Sequence, residues 1–336
     1  MLFGQTHTTG GTMVESKTKY EASIEEITAL FLKHGLGTVT STSPLGNGEF
    51  NAAYEVTCDD GTHYALKIAP PEGMKVLSYE ENMMESEVFW YEMMHQNTDI
   101  LCPKVYAVDF TRDIIGCNCF IMQMMEGKPL TELNLSDDER DSILRQKLSV
   151  LSKIHRIQGT GFGYRHRQQY STWDEALKSM ADSLISDCRA LGYQTPYGER
   201  FVGYIEKHAD LLKTVPCRMV NFDLWDSNVL YNDGKICLID PERGFWGDTI
   251  GDFITLAPGQ KSPLSEKKEA LEIYNSFAEE KIVLSKETEI RYALTVCYLA
   301  LIEEVEKYVR YEPDNPNYIR NTVDAKAMYE MAFEIL

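Results

Sequence analysis

The chain has no uninterrupted apolar run of the roughly 18–20 residues that a membrane-spanning helix requires. Its best stretch, Ala293 to Ile302, is short and runs into Glu303-Glu304. No basic segment followed by an apolar core opens the chain, so no export signal and a cytoplasmic location are expected. Positive charge is scarce. Lys plus Arg is 33 against 52 Asp plus Glu, a formal net charge of −19, which argues against a general nucleic-acid binder because such a protein needs a basic stripe. The eight cysteines form no Cys-x-x-Cys pair and the seven histidines are scattered, so a zinc site is not expected. Most cysteines sit in apolar runs and read as reduced thiols acting as small hydrophobes. Gly-Lys-Ser/Thr is absent, which excludes a Walker A loop, and no internal repeat is evident.

What remains is a globular chain of 336 residues, 43% hydrophobic and 25% charged, long enough for one large domain or two lobes with cores of their own. The acidic balance is compatible with a cationic small-molecule partner, although acidity for solubility alone is equally ordinary.

The most informative stretch is 219–243, MVNFDLWDSNVLYNDGKICLIDPER. Two apolar runs, Val229 to Tyr231 and Ile236 to Ile239, flank Asn232-Asp233-Gly234, a strong hairpin signal because these residues tolerate positive φ. The hairpin is expected to fold Asp240 back beside Asn228, with Asp223 just before the first strand. Each residue alone could be a cap or a turn. As an ordered set they offer three oxygen-bearing side chains at one spot, which suits Mg²⁺ and a hydroxyl awaiting activation.

Residues 1–36 read as a loose tail and an amphipathic helix over 23–34. Ile24, Ile27, Leu30 and Phe31 share its face, Ser23 and Glu26 have capping-box spacing, and Gly35 ends it. Residues 37–126 read as strands plus one helix over 77–95. They include a glycine loop with Gly46 and Gly48 and then a strand carrying Lys67 before Pro70-Pro71. Glycines let backbone N–H groups approach phosphate oxygens, and a lysine adds a point charge, but a strand lysine is more often a solvated edge residue. The helix offers Glu80, Glu81, Glu85, Glu87 and Glu92 as partners for Lys67, and its methionines keep core spacing. A buried strand from Cys119 to Met125 ends at a Gly127–Pro129 bend that marks a lobe boundary. Residues 127–336 read as mainly helical, with Ser136 and Glu139 capping one helix and others over 171–192, 197–213 and 265–336.

In that order of features the chain resembles the aminoglycoside phosphotransferase and choline kinase group of the protein-kinase-like superfamily, over roughly residues 37–310. Asp223-Leu224-Trp225-x-x-Asn228-Val229-Leu230, then Ile239-Asp240-x-Glu242-x-Gly244-x-x-Gly247-Asp248-x-x-x-Asp252, carry the resemblance most specifically. Gly48-Glu49-Phe50-Asn51, Met125-Glu126-Gly127-Lys128-Pro129-Leu130 and Leu151-x-x-Ile154-His155 add to it. The resemblance implies an α+β, two-lobed protein-kinase-like fold, with an antiparallel-sheet N-lobe and a mainly helical C-lobe. It implies ATP and Mg²⁺ as cofactors and a small-molecule hydroxyl as acceptor. Asp223 would be the catalytic aspartate, and Asn228 and Asp240 the metal ligands. Gly46, Gly48, Asn51, Lys67, Glu87, Gln123 and Met125 would bind the nucleotide, with Glu87 preferred over Glu80 as the partner of Lys67 and Gln123 and Met125 at the adenine-reading hinge. Asp252 would prop the catalytic loop.

The chain departs from this pattern where the group has His-Gly before the aspartate and here stands Asn221-Phe222. Asn replaces the histidine's hydrogen bonds but not its charge, and Phe takes positive φ less cheaply than Gly. That departure motivates a second reading, a nucleotide-binding regulatory pseudokinase, against which the retention of Asp223, Asn228, Asp240 and Lys67 weighs. The absence of an Ala-Pro-Glu activation segment argues against phosphorylation of protein side chains. The resemblance leaves the acceptor open among aminoglycosides, choline, homoserine, sugars and macrolides, and implies no oligomeric state.

Overall fold

A computed structural model describes residues 19–45 and 50–336. Gly46, Gly48, Glu49 and the tail before Lys19 lie outside the described residues. The chain divides into two compact units. One comprises the chain up to Met74 plus Pro103–Met125, the other Lys75–Cys102 plus Glu126–Leu336.

The first unit is built on an antiparallel sheet of β1 (Val39–Pro44), β2 (Ala52–Cys58), β3 (His63–Ile68), β4 (Val105–Asp109) and β5 (Cys119–Gln123), in the order β1-β2-β3-β5-β4. β2 alternates buried and half-buried residues along Ala-Ala-Tyr-Glu-Val-Thr-Cys, as a strand with one face on a core should. β3 is central and buried from Tyr64 onward. Helix α1 (Ile24–Lys33) starts with the expected capping box, Glu26 N–H to Ser23 Oγ at 3.2 Å and Ser23 N–H to Glu26 Oε2 at 2.8 Å. It lays Ile27, Leu30 and Phe31 into a core with Tyr54, Val56, Leu66 and Ile121. Ile24, expected on the same face, is 44% exposed; at the first helical position it precedes the stripe that meets the sheet. β5 stops at Gln123, opposite the second residue of β3, so Met124 and Met125 leave the ladder.

In the second unit, α2 (Met83–Asn97) is buried through Met83, Met84, Glu87, Val88, Trp90, Tyr91 and Met94, so it has no single apolar face. By its contacts this helix belongs with the C-terminal part of the chain, although it lies within 37–126. β6 (Lys128–Pro129) leads into α3 (Asp137–Ile154), which opens on the expected Ser136–Glu139 capping box. Then come α4 (Trp173–Ala190), α5 (Pro196–Lys207) and the short α6 (Ala209–Leu212), with His208 ending α5 where one helix over 197–213 was expected. β7 (Arg218–Val220), β8 (Val229–Asn232), β9 (Lys235–Leu238) and β10 (Phe245–Gly247) form two small antiparallel sheets, β6-β8-β9 and β10-β7. Helices α7 (Lys268–Phe277), α8 (Lys286–Arg310) and α9 (Pro316–Ile335) complete the unit. α8 is buried without a break from Tyr292 to Ile302, so the longest apolar stretch of the sequence is a core helix. No helix among the described residues is long and apolar enough to cross a membrane. All eight cysteines are free thiols, seven of them buried.

Candidate active site

The hairpin forms as its turn residues dictate. Asp233 and Gly234 both have positive φ, 46° and 78°, the requirement of a two-residue type I′ loop. Asn232 pairs with Lys235 and Val229 with Leu238. The returning strand delivers Ile239 to Asn228, whose carbonyl accepts the Ile239 N–H at 3.0 Å. The Asn228 side-chain amide donates to the Asp223 carbonyl at 3.1 Å. One backbone module therefore carries all three residues: Asn228 is bonded to Asp223, and Asp240 directly follows the residue that Asn228 holds.

Asp252 holds the other end of this module. Its carboxylate accepts the N–H of Asn221 at 3.0 Å and of Phe222 at 2.6 Å. It also lies 2.9 Å from His155 Nε2, whose Nδ1 meets the Tyr274 hydroxyl at 2.8 Å. The Asn221 side chain accepts the Asp223 N–H at 3.1 Å. Phe222 does take the left-handed conformation, with φ at 59°, which costs a non-glycine residue about 1–2 kcal/mol. The ring is 3% exposed and packs on Phe245 and Tyr298, with centroids 5.1 and 5.9 Å away. Burying a phenylalanine is worth about 1.5–3 kcal/mol, so packing together with the bond to Asp252 offsets the strain.

Carboxylate oxygens of Glu87, Asp240 and Glu242 lie within 4.8 Å of one another. These three donors are all carboxylate oxygens, the kind a hard cation prefers. Glu80 is committed elsewhere. It accepts the Leu77 N–H at 2.8 Å and pairs with Arg310.

Burial pushes the Asp223 carboxyl up to about 7. Arg243 opposes the shift, and Asp240, Glu242 and Glu306 add to it. Arg243 belongs to a knot of buried charge that the sequence reading did not single out. Its guanidinium is 2.9 Å from Glu306, Glu306 is 3.3 Å from Arg310, and the Tyr79 hydroxyl donates to Glu306. Arg310 and Glu306 are four residues apart on α8, a spacing visible in the sequence. Arg243 stands at an unassigned position between Glu242 and Gly244 of the quoted pattern. Lys147, buried on α3, reaches Asp226 at 2.6 Å and the Leu224 carbonyl at 3.4 Å, and so fastens the middle of the loop.

The remaining expected residues belong to the first unit. Lys67 is 7% exposed on the central strand β3, between Ala53 and Phe120 of the neighbouring strands, so it is no solvated edge residue. Asn51 is buried just before β2. Gln123, exposed at the end of β5, donates its N–H to the Lys104 carbonyl at 2.8 Å, and Met125 follows in irregular backbone.

A family model described as the phosphotransferase enzyme family matches residues 41–280. No curated protein matches the chain. Among solved structures, a protein of Ralstonia eutropha JMP134 named as a candidate aminoglycoside phosphotransferase is 15% identical, with a TM-score of 0.68 over 93% of this chain and 98% of that one. A candidate fructosamine-3-kinase of Haemophilus somnus 129PT is 17% identical, with a TM-score of 0.63 over 91% and 97%. A thermostable mutant of aminoglycoside phosphotransferase APH(4)-Ia, solved with AMP-PNP and hygromycin B, is 16% identical, with a TM-score of 0.60 over 91% and 96%. At these identities the likeness is one of fold, and the fold is the α+β, protein-kinase-like one expected from the sequence.

Proposed function

The chain belongs to the phosphotransferase enzyme family, and from that premise we propose that it transfers the γ-phosphate of ATP to a hydroxyl of a small molecule. The observation that carries this reading is the module that ties Asp223, Asn228 and Asp240 together beneath Asp252. Asp223 orients the acceptor hydroxyl and takes its proton as the oxygen bonds to the γ-phosphorus and the bond to the ADP oxygen breaks. Asn228 and Asp240 would hold Mg²⁺, whose charge would neutralise that of the phosphates. Lys67 grips the α- and β-phosphates, and Glu87 is its helix partner. Gly46, Gly48 and Asn51 cover the phosphates, while Gln123 and Met125 meet the adenine. Phosphoryl transfer depends mainly on positioning and charge neutralisation, and these residues are of the types that supply both. Named relatives in fold include a complex with hygromycin B and a candidate fructosamine kinase, so polyhydroxylated amines head the list of acceptors.

The decisive experiment has two arms. The purified protein is screened for ATP consumption across aminoglycosides, amino alcohols, nucleosides, sugars and glycated amines, and Asp223→Ala is tested on whichever acceptor responds. The variant should bind MgATP and turn over nothing. Undiminished turnover would remove Asp223 from its role. MgATP binding by the parent without turnover on any acceptor would favour the regulatory reading.

A further inference from the structure

Asp240, like Phe222 and Asp233, is a non-glycine residue in the left-handed region, with φ at 60°. Unlike Phe222, it has no buried ring to offset the strain. Its N–H donates instead to the hydroxyl of Tyr91 on α2, at 2.8 Å. Tyr91 is fully buried and lies one turn beyond Glu87, on the same face of that helix. The neighbouring Trp90, also fully buried, donates its indole N–H to the Gly244 carbonyl at 3.0 Å. Its ring lies 5.0 Å from that of Trp246. The Gly244 N–H closes a turn onto Pro241 at 3.1 Å. A Cβ on Gly244 would come within 2.7 Å of the Trp90 ring. Two adjacent aromatic side chains of α2 thus grip the two ends of Asp240–Gly244, the segment that carries the carboxylates of Asp240 and Glu242.

We propose that Tyr91, backed by Trp90, is a positioning residue for the metal: its hydroxyl holds the Asp240 backbone in the left-handed conformation that aims the carboxylate, so α2 sets the affinity of the site for a divalent cation. This rests on the reading of Asp240 as a metal ligand. A phenylalanine at position 91 keeps the buried ring and removes the hydroxyl that accepts the Asp240 N–H. The backbone is then released toward the commoner regions of φ, and the carboxylate is no longer fixed before the cation arrives. Partners of this kind, which orient a ligand without touching the metal, typically change metal affinity by about 10–100-fold when removed.

The test is a Mn²⁺ titration of the full chain in the presence of ADP, followed by electron paramagnetic resonance of the free ion, with no acceptor and no turnover. Tyr91→Phe should weaken Mn²⁺ binding by about ten-fold or more. Its metal-free melting temperature should move little, and in any turnover assay the lost activity should return at raised Mg²⁺. A simple packing defect would lower the melting temperature and leave the metal requirement unchanged. Mn²⁺ binding by the parent that Tyr91→Phe leaves within about two-fold would overturn the role of Tyr91 alone. Absence of Mn²⁺ binding by the parent would overturn the assignment of Asp240 as a ligand, and the role of Tyr91 with it.

Discussion

Asp109 in the first unit and Asp223 in the second are nearly equally buried, 6% and 8% exposed, yet their surroundings treat charge in opposite ways. Burial alone would raise both. At Asp109 it is overcome by Lys33 at 2.8 Å, the Thr111 hydroxyl at 2.6 Å and N–H at 3.0 Å, and His34 at 3.0 Å, which hold the carboxyl well below the usual range. At Asp223 burial prevails. Arg243, which opposes the shift, is already shared with Glu306, and Asp240, Glu242 and Glu306 add negative charge. Asp109 fastens the end of α1 to the end of β4 and has its charge satisfied. Asp223 is left short of positive charge, a deficit that a bound cation would make good. A buried carboxylate in the first state stabilises the fold; in the second it costs stability, which is the condition often met at functional sites.

The largest effect that would sharpen this contrast is at Asp223. Asp223→Asn should cut turnover by about 10²–10⁴-fold, the usual contribution of a positioned acid or base, as read in a steady-state ATP-consumption assay. The same substitution should stabilise the metal-free protein. Because the folded pKa is raised to about 7, the folded chain holds a proton that the unfolded chain releases between about pH 4 and 7, so stability falls as pH rises through that window. Denaturant melts should therefore show Asp223→Asn more stable than the parent above pH 7, on the order of a few kcal/mol, with the gap closing toward pH 4.

Phe222→Gly tests the packing account. Relief of φ strain is worth about 1–2 kcal/mol, whereas deleting a buried phenylalanine costs about 3–5 kcal/mol. A net loss of about 2–3 kcal/mol is expected in urea unfolding, and a gain in stability would show that the strain dominates. Asp252→Asn loses charged acceptance of two backbone N–H groups and should destabilise by about 2 kcal/mol, with turnover lowered through the loosened loop. Asp109→Asn should be the mildest. It should cost about 1–2 kcal/mol at neutral pH and leave turnover within about two-fold of the parent. Because the folded pKa of Asp109 is depressed, its contribution is present above about pH 4 and lost as pH falls further, so the variant and parent should converge in acid. A large loss of turnover in Asp109→Asn would break the division between the two aspartates.

Much of the architecture was legible because it is local. Ser23–Glu26 and Ser136–Glu139 mark helix starts through bonds that span three residues. Asp233-Gly234 sets the hairpin register, which brings Ile239, the neighbour of Asp240, to Asn228. Some expectations were misplaced by their surroundings. Ile24 fits the periodicity of α1 but precedes the sheet contact. The single helix over 197–213 breaks at His208. Phe222 looked like a liability by residue type, yet its hydrophobic pocket is assembled from β10 and α8.

The sequence by itself determined the elements, their order and the residue types of the candidate site, because capping, turn conformation and apolar periodicity depend on neighbours a few positions apart. Only the tertiary structure decided the electrostatics around Asp223 and the grip of α2 on the Asp240 segment. Arg310 and Glu80 are 230 residues apart, Tyr79 and Glu306 227, and Asp240 and Tyr91 149. Pairings of such separation exist only after the core has formed, and they set whether a buried aspartate has its charge satisfied by its own protein.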